Sequence, residues 1–369
     1  MYFNELLETL FDKFPESANK ANLTEKYKRK LNLSWKDVYR AYQWEFRKRS
    51  AQLLVTPNYT TGTAAITKYD GTNWATACTV SISNALNVDM AGRYFRPNGS
   101  SNWYRILYGN SGATQIILEN PTVENSQTDT FEIWKRFHAL NSDVGTVLDV
   151  GKWSSSGLEN RRYSDSGDFP INRNFNFDLG DPTEFAAYGK DDFAAPYTAG
   201  SISITVDTNI VTGTSTAWLG VVSPGDMLVV GKKRYRVKRV QSDTRIILHN
   251  YVNPAVAAAS SYEILKDMAI TLKIYTGSSE YLTLPYDYLA RPYDMVHDTL
   301  DKPDMPEDFD EVIVDFAAYM IKEDKDDIKS LNTAGLAQAK LQGLKSKFRA
   351  VYPRGLQFSP TIPSGMPGR

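Results

Sequence analysis

The sequence predicts an α+β protein. A discontinuous helical bundle, built from the N- and C-terminal ends, carries two duplicated small all-β modules, barrels or sandwiches, inserted between them. Three observations predict this. Apolar residues recur every three or four positions near both ends, β-branched and aromatic residues alternate with polar ones in the middle, and the middle repeats itself. With 369 residues, 42% hydrophobic and 23% charged, the composition is that of a globular protein of two or three domains. Wholesale disorder, collagen and a coiled-coil rod are excluded.

At the N-terminal end Phe3, Leu6, Leu7, Leu10, Phe11 and Phe14 share one helical stripe, and Pro15 ends it. A short helix is expected over 24–31. Ser34 with Asp37 reads as a capping box opening a longer helix, with Trp35, Val38, Tyr39, Tyr42 and Phe46 on its apolar face. After about residue 52 the texture is that of sheet with frequent turns. There Gly62-Thr-Ala-Ala-Ile-Thr67 resembles Gly200-Ser-Ile-Ser-Ile-Thr205, and Trp103-Tyr-Arg-Ile-Leu107 matches Arg234-Tyr-Arg-Val-Lys238. Gly112-Ala-Thr-Gln-Ile-Ile-Leu118 resembles Ser242-Asp-Thr-Arg-Ile-Ile-Leu248, and both units close on Glu-Ile, at Phe131 to Lys135 and Tyr262 to Lys266. Two matched units in one order argue for a duplicated β-module rather than a solenoid. Turn signals over 151–196 suggest an irregular connection.

Pro306 with Glu307, Asp308, Asp310 and Glu311 marks a helix start, and Phe309, Val312, Ile313, Phe316, Met320 and Ile321 make its stripe. Ala337, Leu341, Leu344 and Phe348 mark a second helix. The expected division is 1–52 helical, 53–138 first β-module, 139–196 irregular connection, 197–267 second β-module, 268–305 strand and proline-rich segment, 306–352 helical again, and 353–369 an extended strap. The strap's four prolines and three glycines preclude a core, while Leu356, Phe358, Ile362 and Met366 offer apolar anchors. The shared core of the two ends is expected to hold Leu6, Leu10, Val38 and Tyr42 against Phe309, Val312, Phe316 and Met320.

Chemistry is sparse. Forty-two Lys and Arg balance 43 Asp and Glu, which argues against a generic nucleic-acid binder and leaves local patches open. Cys78 is the only cysteine, and His138, His249 and His297 are scattered, so no disulfide and no metal-binding or catalytic set is expected. Two near-phosphate loops, Gly225 to Lys232 and Gly145 to Lys152, have the wrong glycine spacing and read as turns. Glu323, Asp324, Asp326 and Asp327 read as a solvated helix end, and Tyr286, Tyr288 and Tyr293 beside Arg291 as packed residues rather than a stacking platform. No enzyme and no cofactor is expected. The start of the chain does not read as a signal peptide, and no run is apolar enough to span a membrane. Lys26, Lys28, Arg29, Lys30, Arg40, Arg47, Lys48 and Arg49, with the acid-free stretch after Asp327, suggest a positive patch facing an acidic partner or passing nucleic acid.

The arrangement resembles the head-to-tail connector (adaptor or neck) proteins of tailed double-stranded DNA bacteriophages. The resemblance rests on the Pro-rich opening and helix at 301–320, on Asn209-Ile-Val-Thr-Gly-Thr-Ser-Thr-Ala-Trp218 with Val222-Ser-Pro-Gly-Asp226, and on the N-terminal helix pair. It implies a structural virion protein at the head–tail junction, made in the host cytoplasm, forming a ring of about twelve copies beneath the portal. It implies that the ring extends the channel for double-stranded DNA without sequence specificity. The strap would enter the portal protein, and the β-modules would point away to receive tail or nozzle proteins; no membrane is involved. The alternative is a tail-fibre or baseplate protein using its β-modules for surface attachment.

Overall fold

A computed structural model describes residues 1–14, 20–154, 157–160, 162–163, 184–190, 196–266, 270–274, 280–325, 327 and 330–348. The protein is α+β, with five helices and several antiparallel sheets among these residues. The helices are α1 (Phe3–Asp12), α2 (Lys20–Arg40), α3 (Trp74–Cys78), α4 (Asp310–Glu323) and α5 (Ser330–Lys347). The chain divides into two compact units, one of Met1–Lys48 with Arg291–Arg369, the other of Arg49–Ala290.

In the first unit, residues from both chain ends share two hydrophobic clusters. Phe3, Leu6, Leu10, Tyr27, Leu31 and Trp35 meet Ile313, Val314, Ala317 and Ile321 in one. Val38 and Trp44 meet Phe309, Val312 and Leu341 in the other, with Tyr42 and Phe316 partly buried against it. Met320 is only half-buried and joins neither cluster. The segment after Arg291 is pinned by Asn32, whose side chain donates to and accepts from the Met295 backbone at 2.9 and 2.8 Å. Ser34 caps nothing. α2 runs unbroken from Lys20 to Arg40 because the buried Ser34 hydroxyl donates instead to the Ile313 carbonyl on α4, at 2.5 Å. Tyr42 and Phe46 therefore lie beyond the helix end.

The second unit begins with β1 (Lys48–Val55). A first module follows: β2 (Ala64–Ile66), β3 (Thr79–Ile82), β4 (Tyr94–Pro97), β5 (Tyr104–Tyr108), β6 (Gln115–Leu118), β7 (Gln127–Asp129) and β8 (Phe131–Trp134). Then come β9 (Phe137–Ala139), β10 (Val144–Ser154), β11 (Gly157–Asn160), β12 (Arg162–Tyr163) and β13 (Glu184–Lys190). The second module is β14 (Ser201–Ile204), β15 (Thr208–Thr214), β16 (Met227–Val230), β17 (Lys233–Ser242), β18 (Arg245–Val252), β19 (Val256–Ser260) and β20 (Glu263–Leu265). β21 (Ile270–Ile274) and β22 (Leu282–Ala290) complete it.

The first module's sheet has the order β7-β2-β3-β6-β5-β4-β8 and the second's β19-β14-β15-β18-β17-β16-β20. Counted from the first strand of each module, the two orders are identical. Registers agree as well. Ile106 faces Leu118 and Tyr108 faces Ile117 across a bulge, as Val237 faces Leu248 and Arg239 faces Ile247 across another. Only Thr130 separates β7 from β8, yet they form opposite edges, so the sheet curls until its edges meet. Each module buries its own core, around Val80, Phe95, Ile106 and Ile116 in one and Val211, Trp218, Val237 and Ile246 in the other.

Two further sheets, β1-β22-β10-β11 and β12-β13-β21-β9, combine the strands β9 to β13 that lie between the modules in sequence with β1 before them and β21 and β22 after them. Strands β10 to β13 fall inside the stretch 139–196 expected to be an irregular connection, of which 164–183 and 191–195 lie outside the described residues. β10 pairs with β22 through two register shifts, and it places Val144, Val147 and Val150 in the hydrophobic core. The bulges convert a two-residue period into one of three, so the strand carries no alternating signal. The near-phosphate loop at Gly145 to Lys152 is part of this strand.

The same turn introduces β4 and β16. Gly92 N–H donates to the Ile106 carbonyl at 2.8 Å, and Gly225 N–H to the Val237 carbonyl at 2.7 Å. Both glycines have positive φ, +78° and +86°. At Gly225 glycine is required twice over, since a Cβ would stand 2.0 Å from the Asp143 backbone nitrogen. The residue after each glycine is buried and charged, and the sign differs: Arg93 in the first module, Asp226 in the second.

Candidate functional site

The helical residues expected to form a positive patch are mostly neutralised. Lys26 and Lys30 reach Asp324 at 3.1 and 2.9 Å, Lys28 reaches Asp298 at 2.7 Å, and the neighbouring Lys36 pairs with Asp294. Arg47 is buried, donates to the Tyr39 and Tyr42 carbonyls at 2.9 Å, and stacks over the Tyr39 ring; burial pulls its pKa down. Lys48 and Arg49 open a strand instead of extending a helix face. Among the described residues, only Arg29 and Arg40 of this group are exposed with no ion pair. In the acid-free stretch, Lys340 binds Glu311 and Asp315, Lys347 binds Asp308 at 2.9 Å, and Lys345 lies over the Tyr42 ring. Asp324, one of the C-terminal acids, is thus spent on α2. The anchors Leu356, Phe358, Ile362 and Met366 lie outside the described residues.

The tyrosines are structural. Tyr286 and Tyr288 are buried in the β10–β22 core. Tyr288 donates to Asp143 at 3.0 Å, while the Tyr286 hydroxyl accepts from the Asn141 backbone at 3.2 Å. Tyr293, in the helical unit, donates to the Lys302 carbonyl at 3.0 Å and meets Trp35 edge-on. Asp226 accepts from Ser142 at 2.5 Å and from the Ser223 backbone at 2.7 Å; burial raises its pKa and that of Asp143. His138 is buried with Nε2 2.8 Å from the Lys135 carbonyl, and desolvation, with the Lys135 charge, pushes its pKa down to about 3. Among the described residues no group of three or more His, Cys, Asp or Glu could hold a metal, and no helix is long and apolar enough to cross a membrane.

Among the described residues one dense group of cations lacks ion pairs, and it lies in the second module. From Gly231 to Ser242 the chain reads Gly-Lys-Lys-Arg-Tyr-Arg-Val-Lys-Arg-Val-Gln-Ser, six cations and no acid. β17 buries Tyr235 and Val237, so Arg234, Arg236 and Lys238 share the outward face. Arg239 follows at the bulge, and Arg245 opens β18 beside them. Lys232, Arg234, Lys238, Arg239 and Arg245 are exposed, and none makes an ion pair among the described residues. Arg236 is half-buried and donates to the Gly225 carbonyl at 2.9 Å, and Lys233 donates to the Asn253 carbonyl at 2.5 Å. His249 and Tyr251 occupy the outward side of β18. Burial, helped by Lys238 and Arg236, takes the pKa of His249 down to about 3. The buried Asp226 acts on Arg236 from the inner side, and two other described carboxylates lie at the margin. Asp243 accepts from the Leu219 backbone at 2.9 Å, and Glu263 lies two strands away, opposite Val229.

The row is legible in the sequence as a period-two alternation of cations, without the helical context that makes the cluster at 26–49 stand out. No family model matches the chain, and no curated protein or solved structure matches it.

Proposed function

We propose that the protein is a structural connector between the head and tail of a tailed double-stranded DNA phage, forming a ring between portal and tail. The observation that carries this reading is architectural. One helical unit is made from both chain ends, and two modules of identical strand order are inserted in the middle. Such a chain suits a joint in which one part assembles and the other docks partners. We read the helices as a bundle that builds the ring, and the matched order, register and turn as support for duplication of one ancestral module. The acid-free strap at 353–369 is assigned to the portal and the β-modules to tail or nozzle proteins.

Immuno-electron microscopy of assembled particles tests the placement. Label is expected at the head–tail junction; label along distal fibres would favour the attachment reading instead.

A further inference from the structure

We propose that the outward face of β17 and the start of β18 is a binding site for double-stranded DNA, contacted through its phosphates. The inference deepens the connector reading by naming where the chain meets nucleic acid, and it does not require a ring.

Four features carry it. The cations are exposed and make no ion pair among the described residues, unlike most of those of α2 and α5. They are dense: Arg234, Arg236 and Lys238 stand about 7 Å apart along one face, and Arg239 and Arg245 adjoin them. Such a concentration of cations suits a polyanion. Arg supplies Arg234, Arg239 and Arg245, and its planar fork of donors matches phosphate oxygens better than an ammonium does.

The fourth feature is the first module, an internal control for what the fold itself requires. By register, Arg234 stands where the first module has Trp103, Lys238 where it has Leu107, Arg239 where it has Tyr108, and Arg245 where it has Gln115. Arg236 corresponds to Arg105, which lies 3.8 Å from Glu119. The same sheet thus forms with uncharged residues at these four places. The cations are dispensable for folding, and no described residue forms an ion pair that relieves their mutual repulsion. A polyanion relieves it by releasing its own condensed counterions.

The site commits to phosphate contact without base reading. A flat row of long, flexible side chains presents no helix or ribbon shaped for the major groove.

The test is fluorescence anisotropy of a labelled duplex of about 20 base pairs, titrated with the full chain over a salt series. With four to five phosphates engaged, log K should fall against log salt with a slope of about −4. The variant R234Q/K238Q/R239Q/R245Q should lose at least about 100-fold in affinity at low salt, and its slope should approach zero. R29Q/R40Q, which removes the unpaired helical cations, should bind as the wild type does. Circular dichroism of the quadruple variant should be unchanged, since Gln115 already occupies one equivalent place. Wild-type binding no tighter than that of the quadruple variant would overturn the assignment. So would displacement of the duplex by polyglutamate at equal charge concentration, because the face would then accept acidic protein equally. Both outcomes are read on the isolated chain, so failure of ring assembly leaves the result standing.

Discussion

His138 ties the stability of the β unit to pH. Its side chain is 1% exposed, in β9, with Lys135 and Arg93 among the charges acting on it. Burial holds its pKa at about 3, against 6.5 for an ordinary histidine. A depressed pKa means that the folded state keeps the ring neutral while the unfolded chain protonates it. Stability is thus complete above the unfolded value and is lost as pH falls below it. At about pH 5 the unfolded state gains one and a half pH units of proton binding that the folded state lacks. At about 1.4 kcal/mol per unit this is about 2 kcal/mol. His138→Gln places a non-titrating amide near the Lys135 carbonyl and serves as the control. Urea unfolding at about pH 8 and about pH 5 should show a smaller acid loss in the variant, by about 2 kcal/mol, whatever its absolute stability. Equal losses in the two proteins, or a His138 ring that titrates near 6.5 by NMR, would refute the argument.

Phe309 lies between Trp44, Phe46 and Phe348, with ring centroids at 4.9, 5.5 and 5.2 Å. Phe309→Ala should cost about 3–5 kcal/mol by denaturant melt, whereas the half-buried Phe316→Ala should cost less than half of that. Gly225→Ala forces a Cβ into the backbone of Ser142 and Asp143, whereas Gly112, also at positive φ, faces open space. The first should destabilise by more than about 2 kcal/mol, and Gly112→Ala by only the left-handed strain of about 1 kcal/mol. A chain cut after Tyr352 should keep its melting temperature and lose attachment to portal in a pull-down, because prolines and spaced apolar anchors suit a segment that orders on binding.

The helical periodicity of α1, α4 and α5 and the paired β phrases were readable in the sequence because each is a local pattern. Long-range features were not. Nothing near Lys26, Lys28 and Lys30 announces that Asp298 and Asp324 will neutralise them, since those acids arrive from the other end of the chain. Ser34 looked like a cap because its true acceptor, the Ile313 carbonyl, is equally remote. β10 was hidden by its own bulges. The β17 row is the opposite case. Its alternation is local and visible, but its importance appears only once most of the helical cations are seen to be paired and the first module to manage without charge at the same four places.

The connector assignment stands or falls on assembly with portal. Mass photometry of the purified chain, alone and mixed with portal protein, followed by electron microscopy of the mixture, is the direct measurement. The account predicts a closed ring of about twelve copies seated on the portal and sharing its axis, an arrangement that follows from cyclic closure of a heterologous interface. A chain that stays monomeric with portal present, or that forms isolated trimers, would contradict it.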